Sequence, residues 1–162
     1  MKLYASGLYP EVHSLDICPM QNRAIRFFFD GTRITLPNRS RLKNFLITKV
    51  RGKRLSEIGI TYVFCTDHEL RKINKMHLGH DYFTDIITFN LSNNPRQLLA
   101  EIYISVDRVR DNALKYKVTL KNELHRVIFH GILHLMGFKD KSSIQASSMR
   151  RKEEEWLKDY FK

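Results

Sequence analysis

The sequence predicts a single α/β (α+β) domain in which about four strands form a mixed sheet packed with several helices. Three observations carry that expectation. The length, 162 residues, suits one ordinary domain and leaves little room for a second. Between residues 24 and 106, short runs rich in β-branched and aromatic residues alternate with segments of helical period. From Asp107 onward the pattern is almost wholly helical, with no repeat, low-complexity stretch or linker.

In chain order, AIRFFF (24–29) reads as a strand, followed by a turn at Asp30-Gly31 and a possible hairpin partner, RITL, before Pro37. Asn38 or Ser40 caps a helix with Leu42, Phe45, Leu46 and Val50 at helical spacing, closed by Gly52. GITYVFCT (59–66) is a second strand, after which Thr66 or Asp67 caps a short helix carrying Leu70, Ile73 and Asn74. KMHLGHDYFT reads as a loop pivoting on Gly79, and DIITFNL (85–91) and AEIYISV (100–106) as strands joined by a hairpin-like loop. Asp107 caps a helix to about Lys117. Leu120 to Met136 forms a long helix ended by Gly137, and a final helix covers about Ser142 to Tyr160, its Arg150–Lys152 and Glu153–Glu155 forming a solvated side. Residues 1–19 show no sustained period and no secretory pattern, so they read as an extension that is either non-native or poorly ordered, with Met20 as the start of the 20–162 domain; an extra edge strand is the alternative.

Composition narrows the function classes. Hydrophobic residues make up 43% and aromatic residues 11%, enough to fill a core, which excludes a disordered chain. No apolar run approaches the roughly 20 residues of a membrane span. The two cysteines, Cys18 and Cys65, are too few for a disulfide scaffold, so a reduced, cytoplasmic setting is expected. Lys and Arg number 28 against 17 Asp and Glu, a formal charge of +11. That balance favours polyanionic partners, nucleic acid before an anionic membrane surface, over a merely well-solvated exterior. The positive residues are dispersed, so a binding face must be assembled by folding.

One segment carries chemistry: HGILHLMGFKD, residues 130–140. His130 and His134 lie one helical turn apart and project from one face, suiting two ligands of one metal. Gly137, in a left-handed conformation, would end the helix and let the chain fold back, bringing Asp140 to the same point. Two imidazoles and one carboxylate leave a position open for water, as in catalytic zinc sites, and one Zn²⁺ per chain is expected. The competing reading is an ordinary pair of surface or core histidines. In H-E-x-x-H proteases the residue after the first His is the general base; here it is Gly131, which disfavours peptide hydrolysis. A basic domain with a hydrolytic metal points to a phosphodiester substrate.

HGILHLMGFKD is similar to the helix-end motif H-G-x-L-H-L-x-G-x-D-H of the YbeY family of metal-dependent endoribonucleases. INKMHLGHDYFTDIITFNL resembles its L-N-x-x-Y-R-G-x-D-x-P-T-D-V-L-S-F segment and AEIYISVDRVRDNA its G-D-I-x-I-S-x7-A segment, in the same order, over roughly residues 20–162. The resemblance implies a cytoplasmic, single-strand-specific endoribonuclease that matures the 3′ end of small-subunit ribosomal RNA and acts in ribosome quality control, with the small subunit and its assembly factors as partners, and with neither membrane association nor an organic cofactor. Two departures stand out. The third ligand, usually His, is Asp140, a harder donor that would raise the pKa of bound water and make iron or manganese more tolerable. Leu78 stands where the family usually has an Arg suited to gripping phosphate; His77, His80 or Lys75 are candidates to compensate in part, with an ordinary exposed loop position the competing reading of each. Asp85 matches the family's aspartate, as general base or as hydrogen-bond partner of a ligand His, with a turn-fixing role an equal alternative. Arg71, Arg108, Arg110, Lys139 and Lys141 are candidate RNA contacts. Two rivals remain: an assembly factor with a structural zinc and, with less support, a metalloprotease.

Overall fold

The computed structural model describes residues 23–51 and 55–162. The expectations for the 1–19 extension, Cys18, the Met20 start and the Gly52 helix stop fall outside those residues. The elements run β1 (Arg23–Phe29), α1 (Arg39–Val50), β2 (Glu57–Cys65), α2 (Asp67–Leu78), β3 (Ile86–Asn90), β4 (Gln97–Ser105), α3 (Val106–Tyr116), α4 (Leu120–Leu135) and α5 (Ser143–Phe161). The strands form one mixed sheet in the order β1-β2-β4-β3, parallel from β1 through β2 to β4 and antiparallel at β3. The predicted fold class holds.

Alternation along the two central strands assigns the faces. Ile58, Ile60, Tyr62 and Phe64 of β2, with Leu98, Ile102 and Ile104 of β4, meet α1, α4 and α5 in the main core. Cys65 and Tyr103 point to the opposite face, where Leu70 and Ile73 of α2 complete a smaller cluster. Burial pushes the Cys65 thiol up to about 12, so it packs as an inert apolar group and offers no thiolate.

Four local expectations are corrected. RITL is not a strand: β1 pairs with β2 in parallel, and Leu36 instead drops into the main core. The helix after Thr66 continues through Leu78, because nothing interrupts it before Gly79 takes φ 71° at its end, and Lys75 and His77 suit the negative end of its dipole. Ser105, not Asp107, caps α3 by accepting the Arg108 amide at 3.1 Å. β4 starts at Gln97, three residues before the expected Ala100.

α4 is apolar on most of its circumference because the sheet, α3 and α5 surround it. Tyr62 pins it by donating to the Ile128 carbonyl at 3.0 Å. Gly131 is where α4 comes closest to the sheet: a Cβ there would lie 3.0 Å from Ile102 and Ile86 side-chain carbons. The Gly that removes the protease base is therefore also a packing requirement. α5 begins with a capping box of Ser142 and Gln145, and its Met149, Glu153, Trp156 and Tyr160 face inward.

Candidate metal centre

α4 ends where its carbonyls run out of partners. Gly137 takes φ 97°, its amide bonds the His134 carbonyl at 2.9 Å, and the Phe138 amide bonds the Leu133 carbonyl at 3.0 Å. This turn folds residues 138–140 back over the last helical turn and brings Asp140 opposite the two histidines.

The donors converge. His130 Nε2 and His134 Nε2 are 2.9 Å apart, and Asp140 Oδ2 is 3.6 Å from each. Ligand atoms about 2.0–2.1 Å from a tetrahedral zinc are separated by roughly 3.3–3.4 Å, so the triangle needs adjustments of only a few tenths of an ångström. Its three residues are the sole set of at least three His, Cys, Asp or Glu side chains so gathered among the described residues.

The opposite ring nitrogens fix the tautomers. His130 Nδ1 lies 2.5 Å from Glu153 Oε1, and His134 Nδ1 lies 3.0 Å from the Phe138 carbonyl oxygen. A carboxylate and a carbonyl only accept, so both Nδ1 atoms carry a proton, and in the neutral rings both Nε2 atoms then present lone pairs. Two lone pairs facing each other at 2.9 Å, with a carboxylate oxygen beside them, form a donor set that a shared cation satisfies.

Glu153 was expected on a solvated face and is instead 3% exposed. Its position explains this: Met149, Glu153, Trp156 and Tyr160 recur at intervals of four, three and four, the inward stripe of α5. That spacing was the available signal, hidden by the charged residues on either side. Glu153 Oε2 also accepts from Arg126 at 3.3 Å, and Arg126 grips Glu123 at 2.7 and 2.9 Å and lies 3.5 Å from Asp85 Oδ2. Burial disfavours the Arg126 charge, but the Glu123 hydrogen bond and the Glu153 and Asp85 carboxylates outweigh it and raise its pKa. Three carboxylates thus surround one guanidinium, and the surplus negative charge abuts His130, the place where a cation would sit.

Asp85 does not reach the triad. It accepts from Asn112 at 3.4 Å and faces Arg126, so its link to His130 runs through Arg126 and Glu153; its carbonyl accepts the Ser105 amide at 2.9 Å. The candidate RNA contacts separate into two groups. Arg71 bonds Asp81 at 2.7 Å, Arg108 grips Asp67 at 2.8 Å, and Arg110 bonds the Arg33 carbonyl at 2.7 Å and Asp107 at 3.3 Å. Lys139 and Lys141 are exposed on either side of Asp140.

The triad opens on two sides. A groove of about 560 Å³ runs past His134, Asp140 and Lys141 to Leu78, His80 and Tyr82. A second, of about 460 Å³, runs past His130 and Asp140 to Arg150 and Tyr116. Leu78 is exposed on the first, with the His80 and Tyr82 rings stacked beyond it. Of the side chains expected to compensate for it, Lys75 is tied to Asp81 at 3.0 Å and His77 lies against Phe89.

Comparison with known proteins agrees with this architecture. The profile of the family described as Endoribonuclease YbeY matches residues 35–161. The chain belongs to this family. It is 42% identical over 135 residues to the Endoribonuclease YbeY of Cytophaga hutchinsonii, covering 83% of this chain and 94% of that protein. It is 43% identical over 135 residues to that of Porphyromonas gingivalis, covering 82% and 87%. The solution structure of a Thermotoga maritima protein superposes with a TM-score of 0.55 at 25% identity, over 85% of this chain and 89% of that one. The YbeY resemblance carried by the three sequence motifs is thus met over most of the described domain.

Proposed function

We propose that this YbeY-family chain is a metal-dependent endoribonuclease acting in the cytoplasm on ribosomal RNA, at the 3′ end of the small-subunit RNA, in contact with the assembling subunit. The observation that supports hydrolysis is the convergence of His130 Nε2, His134 Nε2 and Asp140 Oδ2 at the mouth of two open grooves. Three protein donors leave coordination positions for solvent and substrate, which a closed structural site would not. One Zn²⁺ per chain is the proposed cofactor; bound there, zinc supplies Lewis acidity toward a phosphoryl oxygen and acidifies a water molecule.

The protein's own groups have separate tasks. Glu153 and the Phe138 carbonyl hold the two rings in the Nδ1-protonated tautomer, so both Nε2 lone pairs stay available. Asp85 acts through Arg126 as a positioning residue that orients Glu153, and is not the general base. Lys139 and Lys141 hold the RNA backbone beside Asp140. Arg71, Arg108 and Arg110, tied to acidic or carbonyl partners, contribute mainly to the positive field that draws RNA in.

The test is cleavage of a single-stranded RNA by the full chain, loaded with zinc or stripped by chelator, beside Asp140→Ala. Cleavage that needs zinc and falls at least 100-fold in the variant is expected. Zinc bound at one per chain without any cleavage would favour the non-catalytic assembly-factor reading, which the loss of an Arg at position 78 also suits.

A further inference from the structure

The wall of the groove that approaches the triad from the α2 side is aromatic and not cationic. α2 stops at Gly79, and the next three residues fold into a fixed corner. Asn74, 2% exposed, donates to the Tyr82 carbonyl at 2.9 Å, and its own carbonyl accepts the His80 amide at 3.3 Å. Asp81 is clamped by Arg71 at 2.7 Å and Lys75 at 3.0 Å. Held at both ends, the corner presents two stacked rings. The His80 and Tyr82 centroids are 5.2 Å apart at 22°, and the Tyr82 hydroxyl lies 3.2 Å from His80 Nδ1. Tyr82 stays 56% exposed on a backbone held at its own carbonyl.

Aspartate partners occupy the nearby cations, Asp81 for Arg71 and Lys75 and Asp67 for Arg108. Arg71 lies over one side of Phe83 at 5.0 Å and Arg108 approaches the same ring at 4.7 Å, while each pairs with an aspartate. Leu78 adds an apolar side chain, 47% exposed, to the same wall. At about 560 Å³ the groove falls within the range of small-molecule pockets, about 300–1,000 Å³, and His134 and Asp140 line it as well. The Thr88 hydroxyl on its lining is buried without a hydrogen-bond partner. A flat, exposed, pre-ordered ring beside a centre for phosphodiester hydrolysis matches an unpaired nucleobase, whose π-face stacks on aromatic side chains whatever the base. A duplex could not use it, because its bases are stacked on one another.

We propose that Tyr82, braced by His80, is a stacking platform that holds one unpaired base of a single-stranded RNA beside the His130–His134–Asp140 triad. The proposal rests on the endoribonuclease reading above and names the subsite that positions its substrate. Substrate grip on this wall is then largely independent of salt, unlike the cationic contacts elsewhere.

The experiment uses the full zinc-loaded chain and a single-stranded RNA oligonucleotide carrying 2-aminopurine at successive positions, a base whose emission is quenched by stacking. Quenching at one position is expected. Tyr82→Ala should abolish it and raise Kd and KM about 5- to 100-fold with kcat changed less than threefold, while Tyr82→Phe stays within threefold of wild type. An abasic nucleotide at the quenched position should weaken binding to unaltered protein by the same factor, a check that holds even where Tyr82→Ala folds poorly. No quenched position, an abasic RNA bound as tightly as the parent, or Tyr82→Phe as weak as Tyr82→Ala would each overturn the platform. If the wild-type chain cuts no RNA, the nuclease reading fails by itself, while quenching and Kd still decide whether the platform exists.

Discussion

Glu153 is the residue on which the centre depends without being part of it. Replacing it with alanine removes the 2.5 Å contact with His130 Nδ1 and the 3.3 Å contact with Arg126 from a side chain that is 3% exposed. Loss of such a partner to a ligand histidine weakens metal binding by about 10- to 100-fold, or about 1.4–2.8 kcal/mol. The metal-free protein should also lose about 1.5–3 kcal/mol, the worth of a charged hydrogen bond, and not the 3–5 kcal/mol of an abandoned buried charge. Arg126 keeps its two-point grip on Glu123 at 2.7 and 2.9 Å, which sets the lower figure. Glu153→Gln separates charge from geometry: its amide oxygen still accepts from His130, so the zinc affinity should fall less than tenfold. Zinc Kd by chelator competition, with melting temperature after metal removal, reads both quantities. A wild-type zinc Kd in Glu153→Ala together with a lowered melting point would refute the reasoning, because Glu153 would then be a fold residue alone.

Removing the third donor, Asp140→Ala, should reduce zinc affinity more than 100-fold and leave the metal-free melting temperature within about 2 °C, since the side chain is 43% exposed; retained zinc in elemental analysis would mean that another group completes the set. Gly131→Val, which drives branched carbons into Ile102 and Ile86, should cost about 1–3 kcal/mol, seen as a lower urea midpoint with both histidines intact. His125 is 1% exposed, donates from Nδ1 to the Lys121 carbonyl at 2.7 Å and leaves Nε2 unpartnered against Tyr160. Burial lowers its pKa, so its neutral form contributes stability that is complete above the unfolded histidine value of about 6.5 and lost as pH falls toward the lowered value. Over that window its limiting slope is about 1.4 kcal/mol per pH unit; urea denaturation from pH 7.5 to 5 should be flatter in His125→Phe, and identical slopes would sink the account.

The sequence was most legible where one physical rule dominated. The two-residue period of ITYVF and the four-residue interval of His130 and His134 survive any packing, and a glycine after the second His has few uses besides ending a helix and turning the chain. What escaped was set by tertiary partners. RITL has strand composition, but β1 pairs in parallel with β2, and the segment after it runs without strand structure to α1 with Leu36 in the core. Glu153 sits among Arg150, Arg151, Lys152, Glu154 and Glu155, and only its register with Met149, Trp156 and Tyr160 distinguishes it from them. The Arg126 network joins residues from α4, α5 and the turn just before β3, far apart in the chain, and no local pattern announces it.

The two departures from the family motifs have opposite electrostatic senses, and this bears on how the chain handles a polyanion. Asp140 adds a negative charge to the donor set, next to a Glu153–Arg126–Glu123–Asp85 cluster that is already anionic in sum. Leu78 removes a positive charge from the wall opposite. Both changes weaken the local attraction for phosphate at short range, although the chain as a whole carries +11. A divalent cation held by two neutral imidazoles and one carboxylate would keep a formal +1, so on the proposed reading the attraction at the scissile bond would come from the metal together with Lys139 and Lys141. The proposed reading places further binding strength in contacts that need no charge, and the exposed Leu78 side chain and the Tyr82 ring line the same groove. On the proposed reading, long-range steering by dispersed cations, a metal at the reacting phosphate and stacking of the neighbouring base would divide the work of holding the polyanion.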